Sequence, residues 1–244
     1  MKIHLVQALL VTFFVTGSLH AQLYTAGHGD LGVVYEGGEL APHWHLGDGA
    51  IVDGNPLPNN GGNGHEYDPG DMVAGIATAA NSASSSTNYL GVATGTPIFV
   101  TGPVGVQPNL GFAAEELNPD NWNGNITITL TGWTLPSGGQ FALYDTNGSG
   151  TTTTDVFFST LNPGATIASN SFTIPPGFHE HFTFGFTAPG SYQLNLTWSG
   201  THFTDGAKSQ SGIIGFQVVP EPSVSALVGL GILTLLQNRS RKRA

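Results

Sequence analysis

The stretch "HFTFGFTAPGSYQLNLTW" (181–198) contains two runs in which apolar and polar residues alternate. Alternation with period two over this length is typical of half-buried β-strands, and "TAPG" between the runs indicates a turn. The apolar face of the first run contains Phe182, Phe184 and Phe186, and that of the second contains Tyr192, Leu194, Leu196 and Trp198. The stretch therefore predicts two antiparallel strands that pack against a core.

Similar patterns recur in "NITITLTGWTL" (125–135), "GQFALYDT" (139–146) and "GIIGFQVV" (212–219), whereas helical periodicity is nearly absent. We expect "NNGGNGHEYDPGD" (59–71) to be a loop and "ATAANSASSSTNY" (77–89) to be a short helix or a loop. Short strands at this spacing predict an all-β fold, an antiparallel β-sandwich of immunoglobulin-like or jelly-roll type.

The N-terminal residues "MKIHLVQALLVTFFVTGSLHAQ" (1–22) have the pattern of a secretory signal peptide. Lys2 precedes an apolar run, and Ala21 is a suitable residue for cleavage. We predict a signal peptide over residues 1–21, which implies export by the Sec machinery; a short membrane anchor is the alternative. The body of the protein then covers residues 22–219.

The C-terminal residues "VVPEPSVSALVGLGILTLLQNRSRKRA" (218–244) combine Pro-Glu-Pro, an apolar run and a basic end. This order resembles the PEP-CTERM sorting signal, here over residues 220–244. The resemblance implies recognition by an exosortase in the envelope of a Gram-negative bacterium, with the segment in the membrane before processing. A permanent membrane helix is the alternative, although the apolar run is short for a span.

The body is strongly acidic and has no cysteine. Fifteen of the sixteen Asp and Glu residues lie within residues 22–219, together with only one of the six Lys and Arg residues, Lys208. Nucleic-acid binding requires Lys and Arg to neutralise phosphates, so no nucleic-acid partner is expected. Without disulfides, stability must come from packing or from bound ions.

Histidines occur in two pairs at spacing i and i+2, "HWH" (43–45) and "HEH" (179–181), and "GHGD" (27–30) places a histidine and an aspartate at the same spacing. On a strand, such residues share one face about 6.5 to 7 Å apart, and two imidazoles can then reach one ion. The predicted metal ligands are His28, Asp30, His43, His45, His179 and His181. We expect them to form a joint site for Zn²⁺, although Mn²⁺, Fe²⁺, Ni²⁺ or Cu²⁺ also suit such donors.

Three alternatives concern these polar residues. The histidine pairs are also compatible with plain surface histidines or with hydrogen-bonded residues at the mouth of a barrel, and no role is assigned to His65 or His202. The stretch "YDTNGSGTTTTD" (144–155) contains oxygen ligands suited to calcium, in Asp145, Asn147 and Asp155, but it lacks EF-hand spacing. A plain hairpin loop is the expected structure there.

Two stretches are similar to known surface modules. "GHGDLGVVYEGGELAPHWHLGDGA" (27–50) is similar to the opening of the choice-of-anchor M domain, and "GFHEHFTFGFTAPGSYQLNLTWSG" (177–200) resembles the related bacterial surface-anchored protein repeat. With a PEP-CTERM tail, the chain resembles the members of this group that are regulated by zinc starvation. The resemblance implies a surface β-domain that handles Zn²⁺ or a similar ion.

The sequence therefore predicts an exported, envelope-anchored, non-enzymatic metal-binding protein that captures or buffers zinc. It would act at the outer surface or in the extracellular matrix, with exopolysaccharide or a metal transporter as candidate partners. One alternative is a structural matrix or adhesion module. Another is a cupin-like metalloenzyme, because "GGELAPHWHLGDG" (37–49) is similar to a cupin motif, with Asp48 where glutamate is usual. No serine lies in Gly-x-Ser-x-Gly, and no cysteine exists to act as a nucleophile.

Overall fold

The computed structural model describes residues 21–102, 107–147, 149–161 and 169–219, and most of these residues lie in β-strands. The predicted signal peptide, apart from Ala21, and the predicted sorting signal lie outside the described residues. Within the described ranges, no helix combines the length and the apolar character needed to cross a membrane.

The described residues form eighteen strands. In chain order they are β1 (Gln22–Ala26), β2 (His28–Glu36), β3 (Glu39–Leu46), β4 (Ile51–Val52), β5 (Asn55–Pro56), β6 (His65–Tyr67), β7 (Met72–Ile76), β8 (Ala79–Asn81), β9 (Pro97–Thr101), β10 (Asn109–Ala113), β11 (Ile126–Thr134), β12 (Phe141–Thr146), β13 (Thr153–Ser159), β14 (Ser171–Ile174), β15 (His179–His181), β16 (Thr183–Phe186), β17 (Gly190–His202) and β18 (Gly206–Val218). One helical turn, α1 (Ser86–Tyr89), follows β8, and a 3₁₀ turn (Pro119–Asn121) follows β10.

The strands assemble into three sheets. An eight-stranded sheet has the order β14-β11-β17-β18-β7-β1-β4-β5. A five-stranded sheet, here called the histidine sheet, has the order β15-β10-β2-β3-β6, and a second five-stranded sheet has the order β13-β12-β16-β9-β8. The pairs β1/β7, β7/β18 and β2/β10 are parallel, while the other paired strands run antiparallel. The predicted all-β sandwich is confirmed.

The core follows the faces that the alternating pattern predicts. Tyr192, Leu194, Leu196 and Trp198 are all buried on one face of β17, and Phe182, Phe184 and Phe186 are buried as well. Phe184 stacks on Phe112 of the histidine sheet, with 5.6 Å between ring centroids, and lies 5.9 Å from Phe216 of the eight-stranded sheet. These three rings connect the three sheets through one aromatic core.

The run "HFTFGF" is not one continuous strand, contrary to the prediction. It is interrupted at Phe182, so that β15 belongs to the histidine sheet and β16 to the other five-stranded sheet. The ring of Phe182 lies 5.0 Å from Phe157 and 4.9 Å from Phe172. This apolar packing holds the point at which the chain passes from one sheet to the other.

Of three predictions for loop regions, one needs correction, one is right in part and one is confirmed. Residues 59–71 contain the short edge strand β6, which pairs with β3, and residues 77–89 contain β8 as well as α1. The stretch 144–155 is a hairpin between β12 and β13, as expected. The side-chain oxygen of Asn147 accepts hydrogen bonds from the backbone N–H groups of Thr151 and Thr152, at 3.0 and 3.1 Å, so this oxygen organises the turn.

Candidate metal centre

One face of the histidine sheet carries the predicted ligands. Neighbouring strands pair in the order His181, Gly111, Asp30, His45 and Glu66. Residues that pair directly across a sheet point to the same face. The residues that follow or precede them along the strands, Leu31, Trp44 and Phe112, are buried in the core. Core packing therefore turns the polar residues to the opposite face.

A group that we call the three-histidine site consists of His28, His179 and His181. One ring nitrogen of each lies within 4.8 Å of the others. The Nε2 atoms of His28 and His181 are 3.2 Å apart. With Zn–N bonds of about 2.0 to 2.1 Å, tetrahedral geometry separates two ligand nitrogens by about 3.3 Å. These two rings therefore already have the spacing of two ligands on one ion.

Hydrogen bonds fix which nitrogen of each ring faces the centre of this site. Nδ1–H of His181 donates to the backbone carbonyl oxygen of Gly102, at 3.1 Å, because a carbonyl only accepts. Nδ1 of His179 contacts a carboxylate oxygen of Glu115 in the same way. In the neutral form of each ring, this hydrogen bond leaves the free electron pair on Nε2. Carboxylate or carbonyl partners of this kind commonly orient metal-binding histidines.

Asp30 lies beside the three-histidine site and is fully buried. Its Oδ2 atom is 3.4 Å from Nε2 of His28, and neither carboxylate oxygen has a hydrogen-bond partner among the described residues. Burial raises the pKa of Asp30, while the nearby His28 opposes that rise. A buried carboxylate without donors is costly, and an adjacent cation would compensate it. Asp30 lies beside the three histidines but outside the group whose ligand atoms converge within 4.8 Å.

The electrostatics of His28 favour the neutral ring that binds metal. Burial lowers the pKa of His28, Asp30 raises it, and the imidazoles of His181 and His179 lower it, with a net downward shift. His28 and His179 are each about two-fifths exposed in their side chains, at 41% and 39%. Solvent therefore reaches the open side of the site, while Asp30 closes its inner side.

A second group, which we call the His–Glu site, consists of His43, His45, Glu66 and Glu116. Oε1 of Glu116 lies 2.8 Å from Nε2 of His43 and 3.3 Å from Nδ1 of His45. Hydrogen bonds from the two rings lower the pKa of Glu116 to about 2. Burial lowers the pKa of His43, but Glu116 outweighs it and the net shift is upward; Glu116 also raises the pKa of His45.

The structure thus divides the predicted ligands into two groups instead of one joint site. It brings His28, His179 and His181 together beside Asp30, and it places His43 and His45 with two glutamates. The sheet order is the physical reason. Strand β2 lies between β10 and β3, and each strand adds about 4.8 Å, so the "HWH" pair falls on the far side of Asp30.

Glu66, Glu115 and Glu116 were not among the predicted partners of the histidines. The available signal was the acidic pair Glu115-Glu116, which lies in the turn that follows β10. In the structure Glu115 contacts His179, whereas Glu116 contacts His43 and His45. Glu66 can be recognised as a neighbour of His45 only once β6 is known, because the pairing of β6 with β3 places the two residues opposite each other.

His65 and His202, which the sequence left without a role, lie outside both groups. Nε2 of His65 is 2.9 Å from the carbonyl oxygen of Pro58. The ring of His202 stacks on Tyr35, with 4.5 Å between centroids, and meets Trp122 edge-on at 5.2 Å. These contacts favour structural roles for both histidines.

Gly111 provides the space between the strands of the three-histidine site, and this leads to a prediction. A Cβ atom at position 111 would lie 2.4 Å from Oδ1 of Asp30 and 2.6 Å from the backbone oxygen of Glu180. Gly111→Ala is therefore expected to lower the free energy of unfolding by about 2 kcal/mol, as overpacking does. Chemical denaturation measures this, with Gly70→Ala, where a Cβ meets open space, as the control. A change below about 0.5 kcal/mol in Gly111→Ala would contradict the packing.

Comparisons of the chain with models of known protein families, with curated proteins and with solved structures found no match. The resemblances to the PEP-CTERM signal, the choice-of-anchor M domain and the surface-anchored repeat therefore stay predictions. What supports a function is the arrangement of the described side chains.

Proposed function

We propose that this chain is an exported, envelope-anchored protein that binds a divalent metal ion, foremost Zn²⁺, and captures or buffers it without catalysing a reaction. The observation that carries the proposal is the three-histidine site beside Asp30. Three imidazoles and one carboxylate are a complete ligand set for zinc, which is bound by four nitrogen, sulfur or oxygen donors in most structural sites.

The state of the donors supports this proposal. The Nε2 atoms of His28 and His181 face each other at 3.2 Å, a distance that brings two electron pairs together unless a proton or a cation lies between them. Asp30 adds a buried carboxylate that lacks hydrogen-bond donors among the described residues. A bound cation removes both unfavourable features at once. Without metal, a proton shared between the two nitrogens would account for the 3.2 Å contact but would leave the carboxyl group of Asp30 without a donor.

The charge and the termini support capture at the cell surface. The body is acidic, and an acidic surface concentrates cations. The half-exposed rings of His28 and His179 leave the ion accessible from solvent, as exchange with the surroundings requires. The patterns of residues 1–21 and 220–244 support export through the Sec machinery and processing by an exosortase. At such a location the protein would supply zinc to a transporter or receive zinc from one.

Metal analysis of the untagged protein tests the proposal. We expect the protein, once freed of metal by a chelator and dialysed, to bind Zn²⁺ saturably in calorimetric titration. We also expect its melting temperature to rise with zinc. Mg²⁺ serves as the control, because it prefers oxygen donors and bound water and is expected to give no comparable rise. If zinc neither binds saturably nor raises the melting temperature, the proposal is wrong.

A further inference from the structure

On the basis of the proposed metal binding, we infer that the chain holds a second divalent ion in the His–Glu site, and that this site accepts Mn²⁺ or Fe²⁺ as well as Zn²⁺. The two sites differ in their donors. The three-histidine site offers mainly nitrogen, whereas the His–Glu site offers two imidazoles and two carboxylates. Imidazole suits Zn²⁺, Cu²⁺ and Ni²⁺, and carboxylate suits Mn²⁺, so the second site is the one open to harder ions.

The donor atoms of the His–Glu site already converge. All four lie within 4.8 Å of one another, and a single oxygen of Glu116 contacts both His43 and His45. In the absence of an ion these are N–H···O hydrogen bonds. An ion that replaces the bridging protons would keep the same atoms as partners.

Three features hold the rings of this site in position. Trp44, between the two histidines, is fully buried and packs edge-on against Phe216 at 6.3 Å, so both histidines face away from the core. Nδ1 of His43 lies 3.3 Å from the carbonyl oxygen of Ala41, which leaves Nε2 towards Glu116. A Cβ at Gly64 would lie 2.3 Å from Nε2 of His45, so this glycine makes room for that ring.

An acidic cavity lies beside the His–Glu site and contacts two of its four residues. The cavity has a volume of about 350 Å³ and contains His43 and Glu66 in its wall. Three further carboxylates, those of Glu36, Asp68 and Asp71, line it as well. No Lys or Arg of the described residues lines it, since Lys208 pairs with Glu39 elsewhere. Clefts lined by one sign of charge concentrate counter-ions, and a hydrated cation fits a space of this size.

The two sites are neighbours but separate. They lie on the same face of the histidine sheet, with Asp30 on the strand between them. Glu115 contacts the three-histidine site and Glu116 contacts the His–Glu site, although the two residues are adjacent in the chain. Substitution of one glutamate at a time therefore affects one site and leaves the other as an internal control.

The test uses the untagged full chain, stripped of metal, loaded with one equivalent of Zn²⁺ and then titrated with Mn²⁺. The EPR signal of free Mn²⁺ measures how much remains unbound. We expect wild type to bind one Mn²⁺ in addition to its zinc. Glu116→Gln is expected to weaken Mn²⁺ binding at least tenfold and to leave zinc binding unchanged. Glu115→Gln is expected to retain Mn²⁺ binding and to weaken zinc binding instead.

Glu66→Gln provides a second variant, because Glu66 is exposed and its substitution leaves the Glu116 contacts intact. It is also expected to weaken Mn²⁺ binding. The second site is refuted, while the proposed function stands, if wild type binds one zinc ion and no Mn²⁺. The same holds if Glu116→Gln and Glu66→Gln both bind Mn²⁺ as wild type does. If wild type binds neither ion, the proposed function fails together with the second site.

Discussion

Replacement of His179 and His181 together by alanine is expected to abolish zinc binding at the three-histidine site and the stabilisation that depends on it. Binding to the folded state alone adds RT ln(1 + [L]/Kd), or about 4 kcal/mol at a thousandfold excess of zinc over Kd. For a body of this size that corresponds to about 12 °C in melting temperature. Thermal melts with and without zinc measure the loss.

The metal-free fold of this variant should differ little from wild type, because His179 is exposed, His181 is only partly buried and both lie outside the core. Glu180→Gln is the matched control. It lies between the two histidines on β15 and belongs to neither metal group, so the zinc-dependent rise should persist. A double-alanine variant that keeps the full rise would show that zinc stabilises the protein elsewhere.

Asp30→Asn is expected to produce two effects of opposite sign. Without metal, the variant should be more stable than wild type by about 2 kcal/mol, because it removes a buried carboxylate that lacks donors among the described residues. This corresponds to a rise of about 6 °C in melting temperature. With zinc, the variant should lose at least tenfold in affinity, because a neutral amide is a poor substitute for a carboxylate ligand. Melts and calorimetric titration measure the two effects separately.

Asp145→Asn is the control for the first of these effects. Burial, together with Glu180 and Asp155, raises the pKa of Asp145 from 3.8 to about 6. Because the unfolded chain ionises at the lower pH, ionised Asp145 destabilises the fold progressively between pH 4 and 6. Since this side chain is half exposed, its replacement should raise the free energy of unfolding by only about 1 kcal/mol at pH 7 and by little below pH 4, with zinc binding unchanged.

If Asp30→Asn likewise leaves zinc affinity unchanged, Asp30 is not a ligand.

The period-two pattern was sufficient to predict the strands and their faces. Every apolar residue that it assigned to the core in the 181–198 stretch is buried there. The same pattern correctly predicted that His179 and His181 face away from that core. Periodicity indicates only the face of a strand to which a side chain points. It does not indicate which strand lies next in the sheet, because strand order is set by packing between segments that are distant in the chain.

The division into two sites could not be predicted for this reason. It depends on β10 lying between β15 and β2, and on β2 lying between β10 and β3. Both neighbours of β10 come from segments far away in the chain, one before and one after it. Glu66 and Glu116 join the histidines only through this order, since neither has a spacing to them that indicates a ligand.

The placement of β10 between β2 and β15 has a consequence for how the chain matures. His28 and His181 are 153 residues apart in the sequence. An ion held by both would close most of the body into a ring, much as a disulfide would, yet a chelator could open it. During synthesis or translocation this ring cannot close until residue 181 has emerged, so zinc would lock only chains that extend past β15. A chain cut in a surface loop between these histidines would keep its two pieces together for as long as the ion stays bound.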